Sequence, residues 1–65
     1  MSYRNRVFIH YYDDIYSYII DDDFFKQYIM DDRIDEIYCK GSYINFITTN
    51  DNLIDEIECR YNQDI

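Results

Sequence analysis

The chain has 65 residues, with 14 Asp and Glu against 6 Lys and Arg and a formal net charge of −8. One domain of this size buries only about 60% of its unfolded surface, so its stability is marginal from the start. Hydrophobic residues make up 48%, including nine Tyr and four Phe; that excludes a disordered acidic tail, and no uncharged run approaches the ~20 residues of a membrane helix.

In chain order, Val7 to Tyr12 is β-branched and aromatic, so a strand is expected over about 6–12. Residues 14–31 fit a helical segment best, with Asp14 able to cap one start and Asp22 or Asp23 another. Phe24, Phe25, Tyr28 and Ile29 fit helical spacing. A continuous helix would place Asp22 and Lys26 in the apolar stripe of Ile15, Ile19, Phe25 and Ile29, so a break is expected near residues 21–23. The rival reading makes Ile15 to Ile20 a second strand, because Ile-Tyr-Ser-Tyr-Ile-Ile is strongly β-prone.

Residues 34–61 fit a three-stranded antiparallel meander. Gly41-Ser42 suits a two-residue hairpin turn, which pairs Lys40 with Tyr43, Cys39 with Ile44 and Ile37 with Phe46. Asp51-Asn52 is a second candidate turn, pairing Phe46 with Ile57 and Ile44 with Cys59. Ile37, Cys39, Ile44, Phe46, Ile57 and Cys59 then share one face. Glu36, Tyr38, Lys40, Tyr43, Asn45, Ile47, Glu56, Glu58 and Arg60 share the other. The echo of Ile34-Asp35-Glu36-Ile37-Tyr38-Cys39-Lys40 in Ile54-Asp55-Glu56-Ile57-Glu58-Cys59-Arg60 agrees with two similar strands. The expected fold is α+β, a small β-α-β-β-β domain with the helical segment covering one sheet face.

Catalytic signatures are weak, and no enzyme is expected. The single Gly sits in a predicted turn, so no phosphate loop is formed. His10 alternates away from Ile9 and Tyr11 toward solvent or an interface, and Ser2, Ser17 and Ser42 have no nearby base. The acidic clusters lack the calcium-loop pattern, and Cys39, Cys59 and His10 are too few for zinc. The expected register separates Cys39 from Cys59 by two strand spacings, roughly 9–10 Å, too far for a disulfide. Buried, inert thiols are the expectation, with no metal and no cofactor. The N-terminus carries Arg4 and Arg6 but no secretory signal, so a cytoplasmic location is expected, that of the host if the chain is viral.

The abundant Ile, Tyr, Asn, Asp and Phe have AT-rich codons and imply a low-GC genome, bacterial or viral. Such a genome supplies Lys as readily, yet the only lysines are Lys26 and Lys40. Codon drift therefore does not account for the acidity, and a negative surface selected for a basic partner does. Direct binding to nucleic acid or to an anionic membrane is not expected. The candidate partner-binding residues are Asp13, Asp14, Asp21, Asp22, Asp23, Asp31, Asp32, Glu36, Tyr38, Tyr43, Glu56 and Glu58. Carboxylates at fixed spacing can occupy a groove built for phosphates, and tyrosines can anchor in pockets beside them. Excess aromatic surface also suggests a homodimer.

In size, acidity and tyrosine content the chain resembles phage-encoded inhibitors of host nucleases and of repair or defence enzymes, several of which mimic DNA. That resemblance implies an inhibitor of the anti-CRISPR or anti-restriction type, bound in the basic cleft of a nucleic-acid-processing protein. Two alternatives remain open: an antitoxin or immunity protein that neutralises a basic toxin, and a tyrosine-rich homo-oligomeric structural or assembly protein.

Overall fold

The computed structural model describes residues 6–63; Ser2 and Arg4 lie outside them. The elements are β1 (Arg6–Tyr11), β2 (Asp14–Ile19), α1 (Asp22–Tyr28), β3 (Ile34–Lys40), β4 (Tyr43–Thr48), α2 (Asp51–Arg60) and β5 (Asn62–Gln63). The strands form one mixed sheet in the order β3-β4-β1-β2-β5, so the fold is α+β. β1 runs antiparallel to β2 and parallel to β4, and β4 runs antiparallel to β3.

Strand alternation sorts the sheet into two faces. Val7, Ile9, Tyr18 and Phe46 point to the side where Phe24 and Tyr28 of α1 and Leu53, Ile54 and Ile57 of α2 pack, forming the core. Phe24 is its hub: its ring centroid lies 4.9 Å from Tyr28, 5.3 Å from Tyr61 and 5.5 Å from Phe46. Thr48 is also fully buried there. Its hydroxyl donates to the Arg33 carbonyl at 2.7 Å and accepts from Asn50 N–H at 3.1 Å, so burying it leaves no polar group unsatisfied.

The expected N-terminal strand is β1, and the first expected hairpin is β3–β4. Its register is Lys40–Tyr43, Cys39–Ile44 and Ile37–Phe46, around Gly41 at φ +64°. Three segments depart from expectation. Residues 14–19 form β2 rather than the start of a helix, and helix is confined to Asp22–Tyr28. The capping residue is Asp21, whose carboxylate accepts Phe24 N–H at 3.2 Å, in place of Asp22 or Asp23. The third expected strand of the meander is a helix: Asn50 caps α2 by accepting Leu53 N–H at 3.0 Å. Leu53, Ile54 and Ile57 then fall on one buried side. The Asp51-Asn52 turn and the Phe46–Ile57 pairing are therefore absent, and β1 takes the place beside β4.

The cysteines are a further correction. Both are free and exposed. Cys59 lies on the outer side of α2, away from its apolar residues, and Cys39 lies on the edge strand, where the neighbouring elements leave it exposed.

Candidate partner-binding surface

The change of residues 51–60 from strand to helix divides the expected binding face in two. Glu36, Tyr38 and Tyr43 remain together on the sheet face that carries no helix. Glu56 and Glu58 belong to α2, on the opposite side of the sheet. The acids must therefore be sorted by element.

Several are engaged within the chain. Asp31 accepts three bonds from Arg33: N–H at 2.9 Å, Nε at 3.0 Å and Nη2 at 2.7 Å. Arg33 reaches Glu56 Oε1 through Nη1 at 3.1 Å, and the Tyr28 hydroxyl donates to Glu56 Oε2 at 2.5 Å. Hydrogen bonds from Arg33 hold Asp31 below the usual carboxylate range. Those from Tyr28, then Arg33, do the same for Glu56. Burial first, then the Glu56 bond, pushes Tyr28 up. This network ties the α1–β3 turn to α2. Arg60 is held nearby by Gln27 and by the Tyr28 hydroxyl at 3.2 Å. Asp21, besides capping α1, accepts the Tyr61 hydroxyl at 3.2 Å.

The other acids make a band. On α2, Asp51, Asp55 and Glu58 are exposed at i, i+4 and i+7, one flank of the helix. Their axial steps are about 6 and 4.5 Å, against about 3.4 Å per phosphate along one DNA strand. At the start of α2, exposed Asp14 lies opposite Tyr11 in the β1–β2 register, with exposed Asp13 in the turn beside it. Tyr11 is pushed up by burial and then by Asp51, which places that acid at the same end of the sheet. At the other end of α2, Tyr61 links to Asp21, with exposed Asp22 and Asp23 following in α1. Asp32 lies exposed in the turn before β3, beside the Arg33 network.

Below the band, Asp55, Glu58, Cys59, Tyr61, Asn62 and Gln63 line an open groove of about 490 Å³. Tyr18 underlies it, opposite Gln63 in the β2–β5 register. Its side chain is fully buried, and its hydroxyl has no hydrogen-bond partner among the described residues. Burial, then the charge of Glu58, pushes its pKa up to about 12. The Glu58 carboxylate beside this hydroxyl, through its charge and its capacity to accept a hydrogen bond, and the charge of Asp55 hold the proton on it, and the same two carboxylates favour a cation at this end of α2.

Asp51 and Asp55 were absent from the sequence-derived set, although the helical spacing of 51, 55 and 58 was available to reveal them. The sheet-face residues form a different surface. Half-buried His10 sits with its Nε2 2.9 Å from Asn45 Oδ1 and 3.3 Å from the Tyr38 hydroxyl.

Comparison with known protein families, curated proteins and solved structures finds no match. Among the described residues no cluster of three or more His, Cys, Asp or Glu is arranged to hold a metal ion. No helix there is long and apolar enough to cross a membrane.

Proposed function

We propose that the chain is an acidic protein inhibitor that lays its helix layer in the basic cleft of a nucleic-acid-processing or defence protein and stands in for DNA or RNA there. The observation that carries this reading is the exposed Asp51–Asp55–Glu58 stripe along one flank of α2. These carboxylates are exposed, whereas Arg33 and Arg60 on the same side of the sheet are engaged with Asp31, Glu56, Tyr28 and Gln27. Fixed anions with their own cations turned elsewhere present a net field to a partner. The neighbouring tyrosines and the groove supply the shape that charge alone lacks. An arginine or lysine entering between Asp55 and Glu58 would meet both carboxylates at the edge of the groove.

The test is capture of partners by the tagged protein from a low-GC bacterial lysate, with and without excess duplex DNA and at two salt concentrations. The Asp51→Asn/Asp55→Asn/Glu58→Gln variant is run beside it. A nucleic-acid-binding protein that is captured, released by DNA and by salt, and lost with the variant supports the proposal. Capture that ignores DNA, salt and the variant refutes it. Capture of a basic toxin with no nucleic-acid cleft refutes mimicry and assigns the same surface to an antitoxin.

A further inference from the structure

The sheet face without helices carries a second, separate pattern. In strand order β3-β4-β1-β2, the registers build three rows of four side chains. The first row is Lys40, Tyr43, Arg6 and Ile19, in which the Arg6 guanidinium lies 5.6 Å from the centre of the Tyr43 ring. The second is Tyr38, Asn45, Phe8 and Ser17, and the third is Glu36, Ile47, His10 and Ile15. The face is aromatic and apolar: Ile15 is 63% exposed and Ile19 51%, and Phe8 packs edge-on to Tyr43 at 5.4 Å. Its formal charges are few and sit at opposite ends, Lys40 and Arg6 in the first row and Glu36 in the third. In a chain of net charge −8, a face that no described helix covers and that has so little negative charge among the described residues stands apart from the rest of the surface.

We infer that this face is the interface of a homodimer in which two sheets stack with their strands antiparallel. A two-fold axis lying in the interface and perpendicular to the strands superposes each strand on its own copy and exchanges the first and third rows. Lys40 then faces Glu36 of the other copy, Tyr43 faces Ile47, Arg6 faces His10 and Ile19 faces Ile15, while the second row meets itself. An axis parallel to the strands would set Lys40 and Glu36 over isoleucines instead. The charge pattern therefore selects both a second copy as occupant and the orientation of that copy, as an isologous contact requires. Aligned sheets cross at about 30°, which keeps these rows in reach. With rows about 6.6 Å and strands about 4.8 Å apart, three rows of four cover roughly 400 Å² per copy. The total, on the order of 800 Å², lies below the usual range of stable interfaces, so the dimer is a weak one that forms at high protein concentration. Stacked sheets put the anionic helix layers on the outside of the dimer, farther apart than the Debye length of about 8 Å, so the like charges of the two copies oppose association weakly.

The experiment is sedimentation equilibrium over a concentration series, with circular dichroism confirming the fold of each variant. The expected mass is twice the 8.1 kDa of the chain. Lys40→Glu and Glu36→Lys each place like charges together, and each should weaken the dimer by at least about tenfold. The Lys40→Glu/Glu36→Lys double exchange should restore it, a rescue that simple damage to the edge strand would not give. Ile19→Asp should dissociate the dimer outright. A folded wild type that stays monomeric at millimolar concentration overturns the inference and assigns the face to a different partner. A dimer indifferent to Ile19→Asp, or one that the double exchange weakens further, also overturns it.

Discussion

Replacing Tyr18 by Phe should stabilise the protein. The side chain is fully buried and its hydroxyl has no partner among the described residues. Leaving such a group unpaired costs about 1–3 kcal/mol of desolvation. Removing the oxygen recovers most of that and leaves a space too small to cost more than a few tenths. A net gain of about 1 kcal/mol should raise Tm by roughly 4–8 °C in a domain of this length. A second readout comes from titration. The folded state raises the Tyr18 pKa from 10.0 to about 12, through burial first and Glu58 second. The proton is held more tightly when folded, so its stabilising contribution is complete below the unfolded value and lost as pH rises through the folded one. The Phe variant has no such proton to lose, so its advantage should widen across that alkaline interval. Urea unfolding followed by circular dichroism, at neutral pH and along an alkaline series, measures both. A Phe variant less stable than wild type at neutral pH would refute the reasoning, because it would mean that the hydroxyl donates a productive bond to Glu58, whose charge and capacity to accept a hydrogen bond raise the Tyr18 pKa.

Glu56→Gln should destabilise the fold at neutral pH. The Glu56 pKa is lowered from 4.5 by Tyr28 and then Arg33, so its contribution is present above that value and lost as pH falls through the folded one; urea midpoints for the two proteins should converge on acidification. Asp55→Asn/Glu58→Gln should weaken partner capture yet leave stability equal or higher, because like charges three or four residues apart on a helix cost about 0.2–0.5 kcal/mol per pair; a thermal melt showing a clear loss of stability would contradict this. Gly41→Ala meets no atom within 4 Å but must hold φ +64°, so it should cost about 1–2 kcal/mol, seen as a lower urea midpoint with an unchanged slope. Phe46→Ala empties a fully buried ring site at about 3–5 kcal/mol, enough to leave the chain largely unfolded by circular dichroism at 37 °C if its total stability lies at the low end, about 0.05 kcal/mol per residue, expected of a domain this small.

The sequence was readable where a residue had only one conformational use. Gly41 fixed the β3–β4 turn, and from it the pairing of Ile37 with Phe46 and Cys39 with Ile44. The β1–β2 turn carries no such mark: Tyr12 supplies the positive φ, at 55°, which costs a bulky residue roughly 1–2 kcal/mol and which nothing in Tyr12-Asp13 advertises. β2 was therefore merged with the helix that follows. The repeated heptapeptide misled in a different way. Ile34–Lys40 is a strand and Ile54–Arg60 is helical, although five of the seven residues are the same. The difference lies partly upstream, where Asn50 caps α2 with Asp51 in its first turn. It also lies in Tyr38 against Glu58, an aromatic suited to a pleated face against a residue with better helix propensity. Local sequence left both outcomes open, and packing on the sheet decided between them. The candidate site inherited this ambiguity, since Glu56 and Glu58 changed sides with the helix.

The same structural change gives the acids separate tasks. As a strand, residues 54–60 would have set Glu56 and Glu58 beside Glu36 and Lys40, partly cancelling charge on one mixed face. As a helix, they turn Glu56 inward to Arg33 and Tyr28 while Asp51, Asp55 and Glu58 point along the outer flank. Arg33 then neutralises the acids that hold α2 in place and leaves the flank unneutralised. The opposite face keeps Lys40 and Arg6 at one end and Glu36 at the other, a pattern that suits a copy of itself better than a basic cleft. Two interfaces on opposite sides of a sheet this small are compatible only if each is read by a different partner. The proposed dimer of the proposed inhibitor would have its helix layers facing outward, each open to a separate target.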